Sequence, residues 1–164
     1  MKKLVLLRHG ESEWNLDNRF TGWTDVNLTK KGIEEAKHAG KLLKNQKISF
    51  DLVFTSVLKR AIDTMNICLN QMKINNISKQ FEWRLNERHY GSLQGLNKLD
   101  TAEKYGDKKV HIWRRSYNVP PPPLQKEDER HPCNDDLYKN LDPNQLPSSE
   151  SLKVNGGVAF SIFA

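Results

Sequence analysis

The consecutive residues Arg8-His9-Gly10-Glu11-Ser12 bring together side chains that phosphoryl transfer requires. An imidazole is a neutral nucleophile near neutral pH. A guanidinium is always charged and grips phosphate oxygens with a two-pronged fork. The run follows directly on Leu4-Val5-Leu6-Leu7, a continuous apolar stretch of the kind that forms a buried strand of a parallel sheet. In α/β folds the C-terminal ends of such strands carry the ligand-binding groups. The chemistry these residues predict is a covalent phosphohistidine at His9. A strand followed by an ordinary polar loop is the plainer reading of the same triplet, and the rest of the chain decides between them.

The 164 residues suffice for one domain with a sizeable core. With 37% hydrophobic and 28% charged residues, the chain reads as soluble and globular. A formal net charge of +6 and an isoelectric point near 9.3 point to a polyanionic partner, either a nucleic acid or a small phosphorylated metabolite. The basic residues form no dense block, which argues against nucleic acid. Cys68 and Cys133 give neither a disulfide framework nor a metal-binding spacing, so a reduced, cytoplasmic setting is expected. The apolar run before Arg8 is too short for a signal peptide, and no stretch approaches a membrane span.

The elements that must hold His9 follow from periodicity. Thr29 is placed to cap a helix running to about Asn45, with Ile33, Ala36, Gly40 and Leu43 on its inner face. Leu52-Val53-Phe54-Thr55 reads as a second buried strand, and Ser56 as the cap of the next helix. In that helix Leu58, Ala61, Ile62, Met65, Leu69 and Met72 recur at helical spacing, with Arg60 in the first turn. A third strand is expected around Phe81 to Leu85. Strands alternating with helices argue for an α/β layer fold. Short helices are expected over Asp100 to Tyr105 and Lys108 to Arg115, separated by Gly106. Pro120 to Pro123 favour an extended segment, and residues 124 to 147 are polar and turn-rich.

Several further segments agree with the opening run. They are Arg19-Phe20-Thr21-Gly22-Trp23, Thr55-Ser56-Val57-Leu58-Lys59-Arg60-Ala61 and Leu85-Asn86-Glu87-Arg88-His89-Tyr90-Gly91. After them come Leu93-Gln94-Gly95-Leu96-Asn97-Lys98, Tyr105-Gly106-Asp107 and Trp113-Arg114-Arg115. Together they resemble the cofactor-dependent phosphoglycerate mutases of the histidine phosphatase superfamily, from about Lys3 to Leu152. The Arg-His-Gly triplet marks only the superfamily; the segments around Glu87 and Lys98 point to the mutase branch.

The resemblance implies a three-layer α/β/α fold with a mostly parallel sheet. It makes residues 1–152 a mutase-like domain and 153–164 a divergent tail. His9 would be the nucleophile, and Arg8 and Arg60 would clamp the transferred phosphoryl group. Glu87 would move the proton of the substrate hydroxyl. Asn15, Thr21, Gly22, Arg88, Tyr90, Lys98, Arg114 and Arg115 would hold the substrate carboxylate and its second phosphate. The implied activity interconverts 3-phosphoglycerate and 2-phosphoglycerate, with 2,3-bisphosphoglycerate priming the histidine and no metal. The implied partners are this small phosphorylated metabolite and a second copy of the chain in a homo-oligomer, with neither nucleic acid nor membrane. A phosphatase of the same superfamily and a non-catalytic remnant are the alternatives.

Taken singly, each residue has an ordinary reading. Glu87 reads as an exposed carboxylate and Arg114-Arg115 as a solvated helix face. His89 reads as packed beneath its loop, His38, His111 and His131 as surface, Cys68 as core, and Trp14 and Trp23 as loop anchors. The joint order and spacing of the matches outweigh these. The family continues beyond residue 164 with a strand and a second active-site histidine, so the fold is expected to be incomplete at the C-terminus and its activity impaired. Gly156-Gly157 is expected to break the helix that the family has there.

Overall fold

A computed structural model of the chain describes residues 3–161, and these gather into two compact units. One comprises residues 3–16 with Val26–Trp83, the other Asp17–Asp25 with residues 84–161.

The first unit contains the short helix α1 (Glu13–Leu16), helix α2 (Lys30–Asn45), strand β1 (Leu52–Thr55), helix α3 (Lys59–Met72) and strand β2 (Ser78–Phe81). Thr29 caps α2 as expected: its side chain accepts the Gly32 N–H at 3.0 Å. Ala36 and Gly40 are buried on that helix, while Ile33 and Leu43 are only half-buried. Of the apolar stripe along α3, Leu58, Met65, Leu69 and Met72 are buried, as is Cys68, while Ala61 and Ile62 are half-buried.

β1 and β2 pair in parallel, from Leu52 opposite Ser78 to Thr55 opposite Phe81, with α3 as the connecting helix. This is a β-α-β unit, and it makes the fold α/β with a parallel sheet.

Several sequence expectations are corrected here. Leu4–Leu7 forms no strand, and Leu4, Leu6 and Leu7 are 74%, 83% and 47% exposed. An apolar run becomes a buried strand only where a neighbour takes up its ladder groups and covers its faces. Among the described residues the sheet has two strands, and these pair with each other. β1 is present, but only Thr55 of it is buried. The next strand ends at Phe81 instead of starting there. Its first residues, Ser78-Lys79-Gln80, show no apolar alternation; the backbone ladder with β1 selects them. Ser56 does not cap α3, which starts at Lys59 after Leu58; its hydroxyl accepts the Leu58 N–H in the preceding turn.

In the second unit, α4 (Lys98–Tyr105) and α5 (Asp107–Arg115) meet at Gly106, whose φ of +86° suits a residue without a Cβ. They pack on a core of Phe20, Leu93, Val110 and Trp113. Residues 120–123 are non-helical, as the prolines require. The polar stretch that follows is less solvated than its composition suggests. Its single 3-10 turns leave Leu124, Tyr138 and Leu146 buried, along with His131, which sequence places at the surface. α6 (Leu152–Phe160) runs through Gly156 and Gly157 without breaking. A helical glycine costs only about 1 kcal/mol relative to alanine, and the Ser151 hydroxyl starts the helix by accepting the Val154 N–H.

Candidate active site

The His9 loop is pinned to two helices. Against α2, the Glu11 carbonyl accepts the Thr29 N–H at 2.9 Å, and the Glu11 N–H donates to the Glu35 carboxylate at 2.8 Å. The Glu11 carboxylate in turn takes Thr29 Oγ1 and Lys31 Nζ, each at 3.0 Å. A Cβ on Gly10 would overlap the Gly32 carbonyl, so this crossing of loop and helix requires glycine. Against α3, the Gly10 N–H donates to Thr64 Oγ1 at 3.1 Å.

This setting fixes the His9 ring. Its Nδ1 lies 2.7 Å from the Gly10 carbonyl. A carbonyl only accepts, so the proton sits on Nδ1 and the lone pair on Nε2. Arg60, on the first turn of α3 and 0% exposed, brings its Nε–H to 3.3 Å from that Nε2. The pKa of His9 is lowered to about 4, first by burial, against the opposing pull of the Gly10 carbonyl, and then by the charges of Arg60 and Arg8. His9 is therefore neutral at pH 7, with its lone-pair nitrogen facing a buried cation. Arg8 itself is exposed, and Asn15 turns its side-chain oxygen to the Ser12 N–H at 3.1 Å.

The second unit assembles a different part of the set. Arg88 is 4% exposed. Its Nη2 donates to the Arg114 carbonyl at 3.0 Å, and its guanidinium lies 4.7 Å over the Tyr90 ring. Its Nη1 is buried without a hydrogen-bond partner among the described residues, a donor suited to an anion. The Tyr90 ring is 5.3 Å from Phe20, over which Lys98 Nζ sits at 5.9 Å. Thr21 and Gly22 are buried, and Gly22 has a φ of +57°. Glu87 is half-buried next to Arg88, and Arg115 is exposed at the end of α5.

A neutral histidine backed by a buried arginine, on a loop locked to a β-α-β unit, is the arrangement expected for covalent phosphoryl capture. The model of the histidine phosphatase superfamily (branch 1) matches residues 4–131. The chain belongs to this superfamily. The 2,3-bisphosphoglycerate-dependent phosphoglycerate mutase of Borreliella burgdorferi is 60% identical over 153 residues, which cover 93% of this chain and 62% of that protein. The corresponding mutase 1 of Lactobacillus johnsonii is 57% identical over 94% of this chain and 67% of its own length. The chain thus spans about two thirds of the relatives it matches. The solved phosphoglycerate mutase from Bacillus anthracis, 22% identical, aligns over 94% of this chain and 63% of its own with a TM-score of 0.63, a likeness of fold.

Within this histidine phosphatase superfamily chain, sequence reasoning passed over supporting residues. Thr64 was one of them, although its place one turn after Arg60 was a usable signal. Glu150 was another: it is 3% exposed, its carboxylate accepts the His89 N–H at 2.8 Å, and its own N–H returns to the His89 carbonyl. The segment Asn86 to Tyr90 is thereby clamped in place. Among the described residues no group of three or more His, Cys, Asp or Glu could hold a metal, and no helix is long and apolar enough to cross a membrane.

His89 packs inside its unit at 0% exposure, edge-on to Trp23 at 5.7 Å. Burial, reinforced by His131 and Arg130, lowers its pKa to about 3. The unfolded imidazole takes up a proton below pH 6.5 and the folded one does not, so stability falls as pH falls through that value. Between pH 7 and pH 5 His89 should contribute a loss of about 2 kcal/mol. His9 acts in the same direction; Glu150, whose carboxyl burial pushes up, acts against it. Urea midpoints across that range measure the slope. His89→Asn, which keeps an acceptor for the Gly91 N–H, should flatten it, and an unchanged slope would contradict this assignment.

Proposed function

We propose that the chain carries out phosphoglycerate mutase chemistry through a phosphohistidine at His9. The observation that carries this reading is the neutral His9 ring with its Nε2 lone pair 3.3 Å from the Arg60 Nε–H. Nε2 attacks phosphorus, an N–P bond forms, and the P–O bond to the donor oxygen breaks. The proton stays on Nδ1, donated to the Gly10 carbonyl, throughout. Arg60, with Arg8, neutralises the charge spread over the phosphoryl oxygens.

To Glu87 we assign the proton that the departing oxygen gains and that the accepting hydroxyl gives up in the return step. To Asn15, Thr21, Gly22, Arg88, Tyr90, Lys98, Arg114 and Arg115 we assign the substrate carboxylate and its second phosphate; the buried, unmatched Nη1 of Arg88 supports this. The priming compound is 2,3-bisphosphoglycerate, which supplies the phosphoryl group that His9 takes up. The reaction interconverts 3-phosphoglycerate and 2-phosphoglycerate in the cytoplasm, within residues 1–152 and not the tail 153–164, in a chain that self-associates.

The test is to incubate the purified chain with 2,3-bisphosphoglycerate, map acid-labile phosphate by mass spectrometry, and follow isomer exchange beside phosphate release. Phosphate on His9 with exchange exceeding release is expected. Release exceeding exchange would make the chain a phosphatase, and absence of acid-labile phosphate would remove the reading.

A further inference from the structure

Gly10 is held at both of its polar groups. Its carbonyl accepts the His9 Nδ1–H at 2.7 Å, and its N–H donates to Thr64 Oγ1 at 3.1 Å. The Thr64 hydroxyl spends its own proton on the Arg60 carbonyl, 2.7 Å away. A threonine within a helix often bonds back to the carbonyl one turn earlier, which by itself is a local filler. Here the same oxygen also receives a backbone donor 54 positions away in the chain, and the side chain is 3% exposed. With its one proton committed to Arg60, only a lone pair is left toward Gly10, so the polarity of the link is fixed.

We infer that Thr64 is a positioning residue whose hydroxyl joins the Gly10 loop to the helical turn carrying Arg60, and so holds the His9 ring in the form that presents Nε2 to the guanidinium. Its effect on rate rests on the reading of His9 as a phosphoryl acceptor; its effect on the ring does not. Valine at this position would match the shape of threonine and leave the Gly10 N–H buried without an acceptor. Serine would keep the hydroxyl.

The test reads the ring before the reaction. Nitrogen-15 shifts of His9, followed against pH in the full chain, report which nitrogen carries the proton and where the ring titrates. In the unsubstituted chain a single Nδ1–H form titrating near 4 is expected. Thr64→Val should give a mixture of the two neutral forms with titration moved toward the ordinary histidine value, and Thr64→Ser should restore the first pattern. Phosphorylation by 2,3-bisphosphoglycerate should fall roughly 10- to 100-fold in Thr64→Val and recover in Thr64→Ser.

A folded Thr64→Val chain with an unchanged His9 form and titration overturns the inference. If that variant does not fold, hydrogen exchange of the Gly10 amide in the unsubstituted chain decides. Protection like that of the α3 interior supports the link, and exchange as fast as an exposed loop overturns it. A chain that never phosphorylates, but whose His9 form responds to Thr64→Val, keeps the positioning role and removes the proposed activity.

Discussion

His9→Ala is expected to leave no acid-labile phosphate on the chain after exposure to 2,3-bisphosphoglycerate, a loss of at least about 10³-fold in the rate of capture. The size follows from the absence of a substitute nucleophile. His89 is buried, and its Nδ1 is occupied by the Gly91 N–H at 3.0 Å. His131 is buried too, with Nδ1 on the Cys133 N–H and Nε2 on the Ser148 hydroxyl. His38 and His111 are exposed. His9 is partly solvated, so its truncation should leave the urea midpoint at pH 7 little changed. Acid-labile phosphate persisting on another histidine at equal stoichiometry would refute the assignment.

Arg60→Ala is the second large effect expected, with phosphoryl capture falling about 10²- to 10³-fold, the cost of removing an oriented donor at developing charge. It should also raise the pKa of His9 from its depressed value, because one of the cations that lowers it is gone. Arg60→Lys separates charge from geometry: lysine keeps the cation but not the planar fork. An intermediate rate is expected for it. Since Arg60 is 0% exposed, a urea titration of each variant must accompany the rates. A folded Arg60→Ala chain that captures phosphate at the unsubstituted rate would exclude a direct role for the guanidinium.

The helices were legible in the sequence and the sheet was much less so. The spacing of Leu58, Met65, Leu69 and Met72 determines the buried face of α3, and Thr29 determines where α2 starts, because helical order is local. Strands depend on partners. Leu4–Leu7 has a strand's composition but no ladder, whereas Ser78-Lys79-Gln80 lacks that composition and pairs through its backbone with β1.

Residue types suggested His9, and the resemblance to the mutases supplied Arg60 as its charge partner, although the strand expected before His9 does not form. The second layer was not legible. Thr64 and Glu150 act through bonds to backbone groups 54 and 61 positions away; the place of Thr64 one turn after Arg60 hints at a role but not at its partner, and nothing beside Glu150 reveals its own. His131 misled for the same reason: a histidine in a polar stretch looks solvated until its bond to the Ser148 hydroxyl places it inside.

The separation along the chain within the His9 pair also bears on how the site comes into being. His9 and Arg60 stand 51 positions apart. Closing a loop of that length costs roughly 3.5 kcal/mol plus a constant. No single bond at 3.3 Å offsets that, so His9 acquires its neighbour only once α2 and α3 have docked and the glycine crossing has closed. Helix content by itself is therefore no measure of an assembled site. The ionisation of one imidazole is such a measure, since it moves from the ordinary range of an open chain to about 4 only when the long-range contacts exist together.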